Sequence, residues 1–321
     1  NLCTEIAQLQ ETSIINDYDE VDIIGIDVSC NLGSLDIHNS TKVENFEELI
    51  MSAMEMLTAV SDMTNINNVP SVANGNKLMH SVGLGAMNLH GHLAHNGIMY
   101  GSKESIEFAD AFFTAVNYYS IKASMLIAKE KGETFYRFED SDYASGEYFE
   151  KYFNNEIKIT SDKVKKALGN VPIITSQMWK ELAEDVKKYG MYHAYRLAIA
   201  PTGSISYVRS CTPSIAPITE RVEVRDYGNS RTIYPAPFLT NENRGLFVEA
   251  YDMSMFDMID LYSTIQKHID QAISMTLYVK SNWTTEQLAQ VYLYAWMKNI
   301  KSVYYVRQRL QTIEECISCS I

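Results

Sequence analysis

The sequence predicts an α/β fold, in which helices and strands alternate along the whole chain. Residues 45–63 and 105–131 carry apolar side chains at helical spacing. Residues 21–30 and 302–307 are instead rich in β-branched or aromatic residues, as is typical of strands. No internal repeat or linker divides the 321 residues, so we expect one large domain.

Composition excludes several classes of protein. The net charge of −13 argues against a general duplex-DNA binder, which needs clustered Lys and Arg, although backbone amides could still hold a nucleotide's phosphates. No apolar run approaches the ~20 residues of a membrane span, and no signal peptide is evident. We therefore expect a cytoplasmic protein with no membrane or nucleic-acid partner.

The first five residues form the most informative motif. In an extended segment, Asn1, Cys3 and Glu5 would all point to the same side. This grouping suits radical chemistry, because a sulfur can lose a hydrogen atom, a carboxylate can take a proton and an amide can bind a substrate hydroxyl. Taken alone, the motif could equally be the start of a strand with one buried cysteine.

The first predicted strand, over residues 21–30, ends at Cys30. At a strand end its thiol could reach a site, although a lone cysteine is more often a small buried apolar residue. The helix predicted over 45–63 follows.

Residues 80–87 contain Gly-x-Gly, but Asn88 replaces the third glycine of a dinucleotide-binding fingerprint. Closely packed backbone at a strand-to-helix turn is favoured instead. His90, His92 and His95 have no Cys or carboxylate at metal spacing. We expect them to be hydrogen-bonded or solvated, and we expect the segment 133–170 to lie on the surface.

A helix around residues 179–186 precedes a strand-like run over 192–200. The run leads into a loop of small and hydroxyl residues: Pro201, Thr202, Gly203, Ser204 and Ile205. Free backbone N–H groups and hydroxyls in such a loop can bind a phosphate. An ordinary turn is the open alternative.

Two helices are predicted over residues 255–273 and 284–300, the second with a capping box at its start. They lead to a strand that contains Tyr304 and Tyr305. Adjacent strand residues face opposite sides, so at least one of the two should be buried. Packing would explain the pair, but phenols can also carry an oxidising equivalent.

Five cysteines are too few for a disulfide scaffold. Cys316 and Cys319 form a C-x-x-C pair in a polar tail, and no second ligand pair for zinc is evident. Thiol–disulfide exchange is therefore favoured for them.

Four separated motifs now agree: residues 1–5, Cys30 within 28–35, the loop 201–205, and Tyr304-Tyr305 ahead of C-x-x-C. Together they resemble the C-terminal portion of the catalytic (large, alpha) subunit of ribonucleoside-diphosphate reductases of the aerobic class Ib kind. The resemblance implies reduction of ribonucleoside diphosphates to 2′-deoxyribonucleoside diphosphates, the DNA precursors, by a thiyl-radical mechanism. It also implies a ten-stranded α/β barrel, to which residues 1–310 would contribute the second half, and a flexible redox-active tail over 311–321.

The resemblance implies a role for each site residue. Cys3 would become the thiyl radical, Glu5 the general base on the 3′ hydroxyl, and Asn1 a hydrogen-bonding partner of the substrate. Cys30 would be one of two reducing thiols. Substrate binding is implied for Asn1, Leu2, Cys3, Thr4 and Glu5, and for Pro201, Thr202, Gly203, Ser204 and Ile205.

The resemblance also implies partners. Tyr304 and Tyr305 would pass the radical from a small subunit with a dinuclear Mn or Fe centre, and no cofactor or metal is expected in this chain itself. Cys316 and Cys319 would re-reduce the active site and be recharged by a thioredoxin- or glutaredoxin-like protein.

The sequence has no initiator methionine and opens inside its first motif. We therefore expect a split, processed or truncated protein that pairs with a chain carrying the N-terminal half. A non-catalytic fragment serving as an assembly module is the alternative function. A plain thiol oxidoreductase using Cys316 and Cys319 is disfavoured, because no strand–C-x-x-C–helix context surrounds them.

Overall fold

Five parallel backbone segments lie side by side in the computed structural model, which describes residues 4–18, 20–227 and 230–309. Strand β1 pairs with β2, and isolated bridges join Leu84 to Leu197 and Ile199 to Ile273. The fifth segment, β6, pairs with β5, which follows Ile273 in the chain. Within the described ranges this layer stays open and does not close into a barrel.

The strands are β1 Leu32–Asp36, β2 Gly83–Met87, β3 Val222–Tyr227, β4 Ser230–Pro235, β5 Thr276–Lys280 and β6 Tyr305–Arg309. The first six helices are α1 Ile37–Ser40, α2 Phe46–Met63, α3 Pro70–Met79, α4 Leu89–His95, α5 Lys103–Lys131 and α6 Asp142–Ser145. The others are α7 Glu147–Phe153, α8 Asp162–Leu168, α9 Ser176–Tyr189, α10 Gly203–Arg209, α11 Met255–Gln266 and α12 Thr285–Met297. In the described part of the chain, no helix is both long and apolar enough to cross a membrane.

The long predicted helices are confirmed, and their first residues are fixed by side-chain caps. Asn45 accepts a hydrogen bond from the Glu48 N–H at the start of α2. The capping box before α12 is present, with Thr284 and Gln287 bonded reciprocally. Helix α5 is the centre of the core, since most of its side chains are buried against α2, α8, α9 and α11.

The strand predicted over residues 21–30 is wrong. Ile23 and Ile26 form only isolated antiparallel bridges, to Ile14 and Glu11. The strand begins later, at Leu32, because Leu32–Asp36 pairs along its whole length with the fully buried β2. Tertiary pairing thus outweighs the local strand preference of the earlier segment.

Two further expectations need correction. The segment 133–170 does not lie on the surface as expected, because Phe135, Tyr143, Phe149 and Tyr152 are buried. Its short helices α6 and α7 pack on α9 and contribute aromatic rings to the core. The helix predicted over 255–273 ends at Gln266, and the chain then turns back to run beside residues 197–199.

A buried ion pair fixes that turn. The Arg196 guanidinium is fully buried and lies 3.0 Å from the Asp270 carboxylate. The same carboxylate accepts hydrogen bonds from the backbone N–H groups of Arg196 and Leu197, at 3.0 and 2.8 Å. The pair therefore sets the register between residues 196–199 and 270–274, and both segments lead directly into the candidate site.

Candidate active site

The earliest described residues are held against the ends of the parallel segments. The Ala272 N–H donates to the Glu5 carbonyl at 2.9 Å, and the Ser302 hydroxyl donates to the Thr4 carbonyl at 2.9 Å. Backbone and side-chain hydrogen bonds therefore fix the position of Thr4 and Glu5, the two described residues of the motif that the sequence singled out.

The Glu5 carboxylate is buried, with 2% of the residue exposed. Its Oε2 accepts a hydrogen bond from the Ser274 hydroxyl at 2.5 Å. In the described part of the chain, no Lys, Arg or His forms an ion pair with it. A carboxylate held in this way by a neutral donor can act as a proton acceptor within hydrogen-bond reach of a substrate.

The loop 201–205 leads into helix α10. Thr202 has a left-handed backbone with φ 50°, and its hydroxyl accepts a hydrogen bond from the Ser214 N–H at 2.6 Å. The first N–H groups of a helix have no partner within that helix, so those of residues 203–205 can bind a ligand. A Cβ added at Gly203 would meet no atom within 4 Å, so the space beside the loop is open.

One cavity of roughly 680 Å³ brings these parts together. Its lining includes several residues that the sequence predicted: Pro201, Gly203, Ser204, Tyr304 and Tyr305. Ser274, the hydrogen-bond donor to Glu5, lines it as well. The other two residues of the loop do not line the cavity. Thr202 is buried, and Ile205 is 49% exposed.

The tyrosine pair is in contact, with ring centroids 3.9 Å apart and planes at 44°. The expectation that one ring is buried is wrong, because Tyr304 is half-buried and Tyr305 is 48% exposed. The alternation of side chains along a strand does not determine how the two rings point, because β6 begins at Tyr305 and Tyr304 lies before it. Both rings face the same cavity instead.

Cys30 is exposed and lies two residues before β1, so its predicted place at a strand end is wrong. The Gln8 side chain donates to the carbonyl of the neighbouring Ser29 at 3.2 Å and to Gln271 at 3.1 Å. Gln271 directly precedes Ala272, whose N–H donates to the Glu5 carbonyl. Asn1, Leu2, Cys3, Cys316 and Cys319 lie outside the described residues.

The histidines near α4 do not form a metal site. Within the described residues, no group of three or more His, Cys, Asp or Glu could hold a metal ion. His90 accepts from the Ile218 N–H at 3.0 Å, and His92 lies 3.0 Å from the Ala167 carbonyl, so the expected hydrogen bonding is confirmed for both. Burial lowers the pKa of His90 to about 4 and, with the nearby His38 charge, that of His92 to about 3.

The Gly-x-Gly segment is confirmed as closely packed backbone. A Cβ at Gly85 would come within 2.4 Å of the Ala198 carbonyl oxygen. The glycine lies inside β2, however, and not at the predicted turn.

Three serines at the site were missed by sequence reasoning: Ser214, Ser274 and Ser302. The Ser214 hydroxyl is buried without a hydrogen-bond partner among the described residues, in a cavity-lining residue with a left-handed φ of 52°. An orphaned hydroxyl and local backbone strain are typical of a ligand site. No local pattern signals these serines, because Ser274 is 269 residues from its partner Glu5.

The comparison with protein families decides the assignment. The model described as "Ribonucleotide reductase, barrel domain" matches residues 1–306. The chain belongs to this family. Its match includes Glu5, the loop 201–205 and the tyrosine pair, so the cavity is a feature of a ribonucleotide reductase barrel domain.

Curated relatives agree with the family assignment. The chain is 50% identical over 321 residues to the ribonucleoside-diphosphate reductase subunit alpha of Bacillus subtilis, covering 100% of this chain and 46% of the relative. It is also 50% identical to the NrdEB subunit alpha of the same organism, covering 99% of this chain and 29% of the relative. The ribonucleoside-diphosphate reductase subunit alpha of Mycoplasma pneumoniae is 41% identical, and the match covers 98% of this chain and 45% of the relative. The chain thus spans less than half the length of each.

Proposed function

We propose that this chain forms one side of the active site of a ribonucleoside-diphosphate reductase, which converts its substrates to 2′-deoxyribonucleoside diphosphates. The observation that carries the proposal is the convergence of three parts on one cavity. These are the loop 201–205, the tyrosine pair, and Ser274, which holds the buried Glu5 carboxylate. Relatives that are 50% identical bear the name of this enzyme.

The reaction divides among residues of the first motif and Cys30. A thiyl radical at Cys3 takes the 3′ hydrogen of the ribose, and Glu5 takes the proton of the 3′ hydroxyl while Asn1 holds the substrate. The 2′ hydroxyl then leaves as water. Cys30 and a second thiol supply two hydrogen equivalents, one to the leaving water and one to C2′, and become a disulfide. Glu5 returns its proton to the 3′ oxygen, and Cys3 returns the hydrogen to C3′ and is again a thiyl radical.

The substrate's diphosphate binds at the loop 201–205. Backbone N–H groups of residues 203–205 donate to its oxygens, and the Ser204 hydroxyl lies on the same cavity wall. Gly203 leaves space for close approach, because no atom lies within 4 Å of the position that a Cβ would take. The Ser214 hydroxyl, which has no hydrogen-bond partner among the described residues, offers one more donor.

The remaining parts act with partners. The contacting rings of Tyr304 and Tyr305 pass the radical from a small, metal-containing subunit to Cys3, and Cys316 and Cys319 return reducing equivalents from a thioredoxin- or glutaredoxin-like protein. The open layer of five parallel segments is one half of a ten-stranded barrel, completed by the N-terminal half of the catalytic subunit.

The test uses the full-length catalytic subunit carrying this chain, together with its small subunit and a dithiol reductant. We expect formation of deoxyribonucleoside diphosphate from CDP or ADP, and we expect Cys3→Ser to abolish it without weakening nucleotide binding. Cys211→Ser is the matched control, since Cys211 is buried and burial raises the pKa of its thiol to about 12. Turnover that survives in Cys3→Ser would contradict the proposal.

A further inference from the structure

We propose that Ser274 is a positioning residue for the Glu5 carboxylate. Its hydroxyl holds Oε2, so that Oε1 is left to take the proton of the substrate's 3′ hydroxyl. The inference rests on the proposed function, in which Glu5 is the general base.

The contact is short, buried and made by side chains alone. Ser274 Oγ lies 2.5 Å from Glu5 Oε2, and the two residues are 7% and 2% exposed. In the described part of the chain, no other side chain donates to this carboxylate. A buried carboxylate loses the hydrogen bonds of water, so its one remaining donor determines which rotamer it adopts.

The hydroxyl is not needed to hold the backbone at this place. The Ser274 N–H donates to the Ile199 carbonyl at 3.0 Å, and the Glu5 carbonyl accepts from the Ala272 N–H at 2.9 Å. Both residues therefore stay in place if the hydroxyl is removed. What is lost is the direction of the carboxylate, on which the geometry of proton transfer depends.

Ser274 lies on a backbone segment whose position is fixed, and it borders the cavity. The Arg196–Asp270 pair fixes the register of residues 270–274, and Ser274 itself lines the cavity that contains the tyrosine pair. A side chain that is anchored on one side and open to the cavity on the other suits the positioning of a general base.

The experiment replaces Ser274 in the full-length subunit and measures steady-state kinetics with CDP and the small subunit. Ser274→Ala should lower kcat by about 10- to 100-fold and leave KM within about twofold. Thr and Val provide an isosteric pair, so Ser274→Thr should retain most of kcat while Ser274→Val should behave as Ser274→Ala does. This pair also covers the case in which Ser274→Ala fails to fold.

The chain contains a matched control. The Ser161 hydroxyl donates to Glu104 at 2.6 Å, in a partly buried Ser–Glu pair, and neither residue lines the cavity. Ser161→Ala should leave kcat and KM unchanged. In a Glu5→Gln background, Ser274→Ala should cause no further loss, because the carboxylate on which it acts is gone.

Each outcome either supports or overturns the inference. A kcat for Ser274→Ala within twofold of wild type overturns it. If Ser274→Ala lowers kcat by the same factor in the wild-type and the Glu5→Gln backgrounds, the inference is also overturned, since Ser274 would then act by another route. If the wild-type enzyme forms no deoxyribonucleotide, or Cys3→Ser stays active, the proposed function fails instead, so the two failures are distinguishable.

Discussion

Arg196 and Glu5 are both buried ionisable residues, yet the fold provides them with very different surroundings. Arg196 pairs with Asp270 and donates to Ser120, Asn117 and Tyr143. Glu5 has a single side-chain donor among the described residues, the Ser274 hydroxyl. The difference separates a charge that holds the structure together from a carboxylate that, in our proposal, serves the substrate.

The surrounding residues differ in the same way. Around Arg196, aromatic rings of α6 and α7 close the core, and Tyr143 and Tyr152 have pKa values well above the usual range because they are buried. Around Glu5, the neighbouring groups border a cavity of roughly 680 Å³. Changes near Arg196 should therefore affect stability, and changes near Glu5 should affect turnover.

The largest effect is expected for Glu5→Gln in the full-length enzyme. Loss of the proposed general base should lower kcat by roughly 100- to 10,000-fold, with the urea midpoint of unfolding unchanged. Glu104→Gln removes the carboxylate of the matched Ser–Glu pair and should leave turnover intact. Comparable kcat values for Glu5→Gln and wild type would contradict the expectation that changes at Glu5 affect turnover.

The opposite pattern is expected for Arg196→Met. Removing the guanidinium leaves Asp270 buried without its partner, which should lower the free energy of unfolding by about 3–5 kcal/mol. Arg137→Met removes an exposed pair with Asp140 and should change stability little. Urea unfolding measures both, and equal midpoints for the two variants would contradict the assigned role of the buried pair.

A smaller effect is expected for Gly203→Ala. The added Cβ meets no protein atom within 4 Å, so stability should not fall, but the methyl group would occupy the space that we propose for the substrate's phosphates. We expect KM for CDP to rise on the order of tenfold, or ~1.4 kcal/mol. Gly245→Ala, also free of contacts at its Cβ and not part of the cavity lining, is the control. An unchanged KM in Gly203→Ala would place the phosphates elsewhere.

A further prediction concerns the pH dependence of stability. Burial lowers the pKa of His193 to about 3, from about 6.5 in the unfolded chain. Its contribution to stability is therefore fully present above pH 6.5 and falls as the pH drops towards 3, because only the unfolded state takes up the proton. His193→Gln should flatten the stability curve between pH 6 and 4 by up to ~1.4 kcal/mol per pH unit. An unchanged slope in urea titrations would contradict this.

The sequence predicted the long helices best, because their signals are local. Helix α2 was predicted from apolar spacing and α12 from its capping box. Strand β1 was misplaced, because its stability comes from pairing with β2 about 50 residues away. Local strand preference contains no information about such a partner.

The residues of the candidate site likewise differ in whether a local sequence pattern reveals them. Glu5, the loop 201–205 and the tyrosine pair could be found because each belongs to a short motif. Ser274 and Ser302 could not, because serine is common and their contacts with residues 4 and 5 exist only after folding. The orientation of Tyr304 and Tyr305 was missed because the strand begins at Tyr305, three residues later than expected.

The most direct test of this account is a structure of the full-length subunit with a bound ribonucleoside diphosphate. The account predicts diphosphate oxygens at ~3 Å from the N–H groups of residues 203–205. It also predicts the ribose 3′ oxygen within hydrogen-bond distance of Glu5, while Ser274 still donates to Oε2. A substrate bound elsewhere, with no contact to the loop 201–205 or to Glu5, would contradict it.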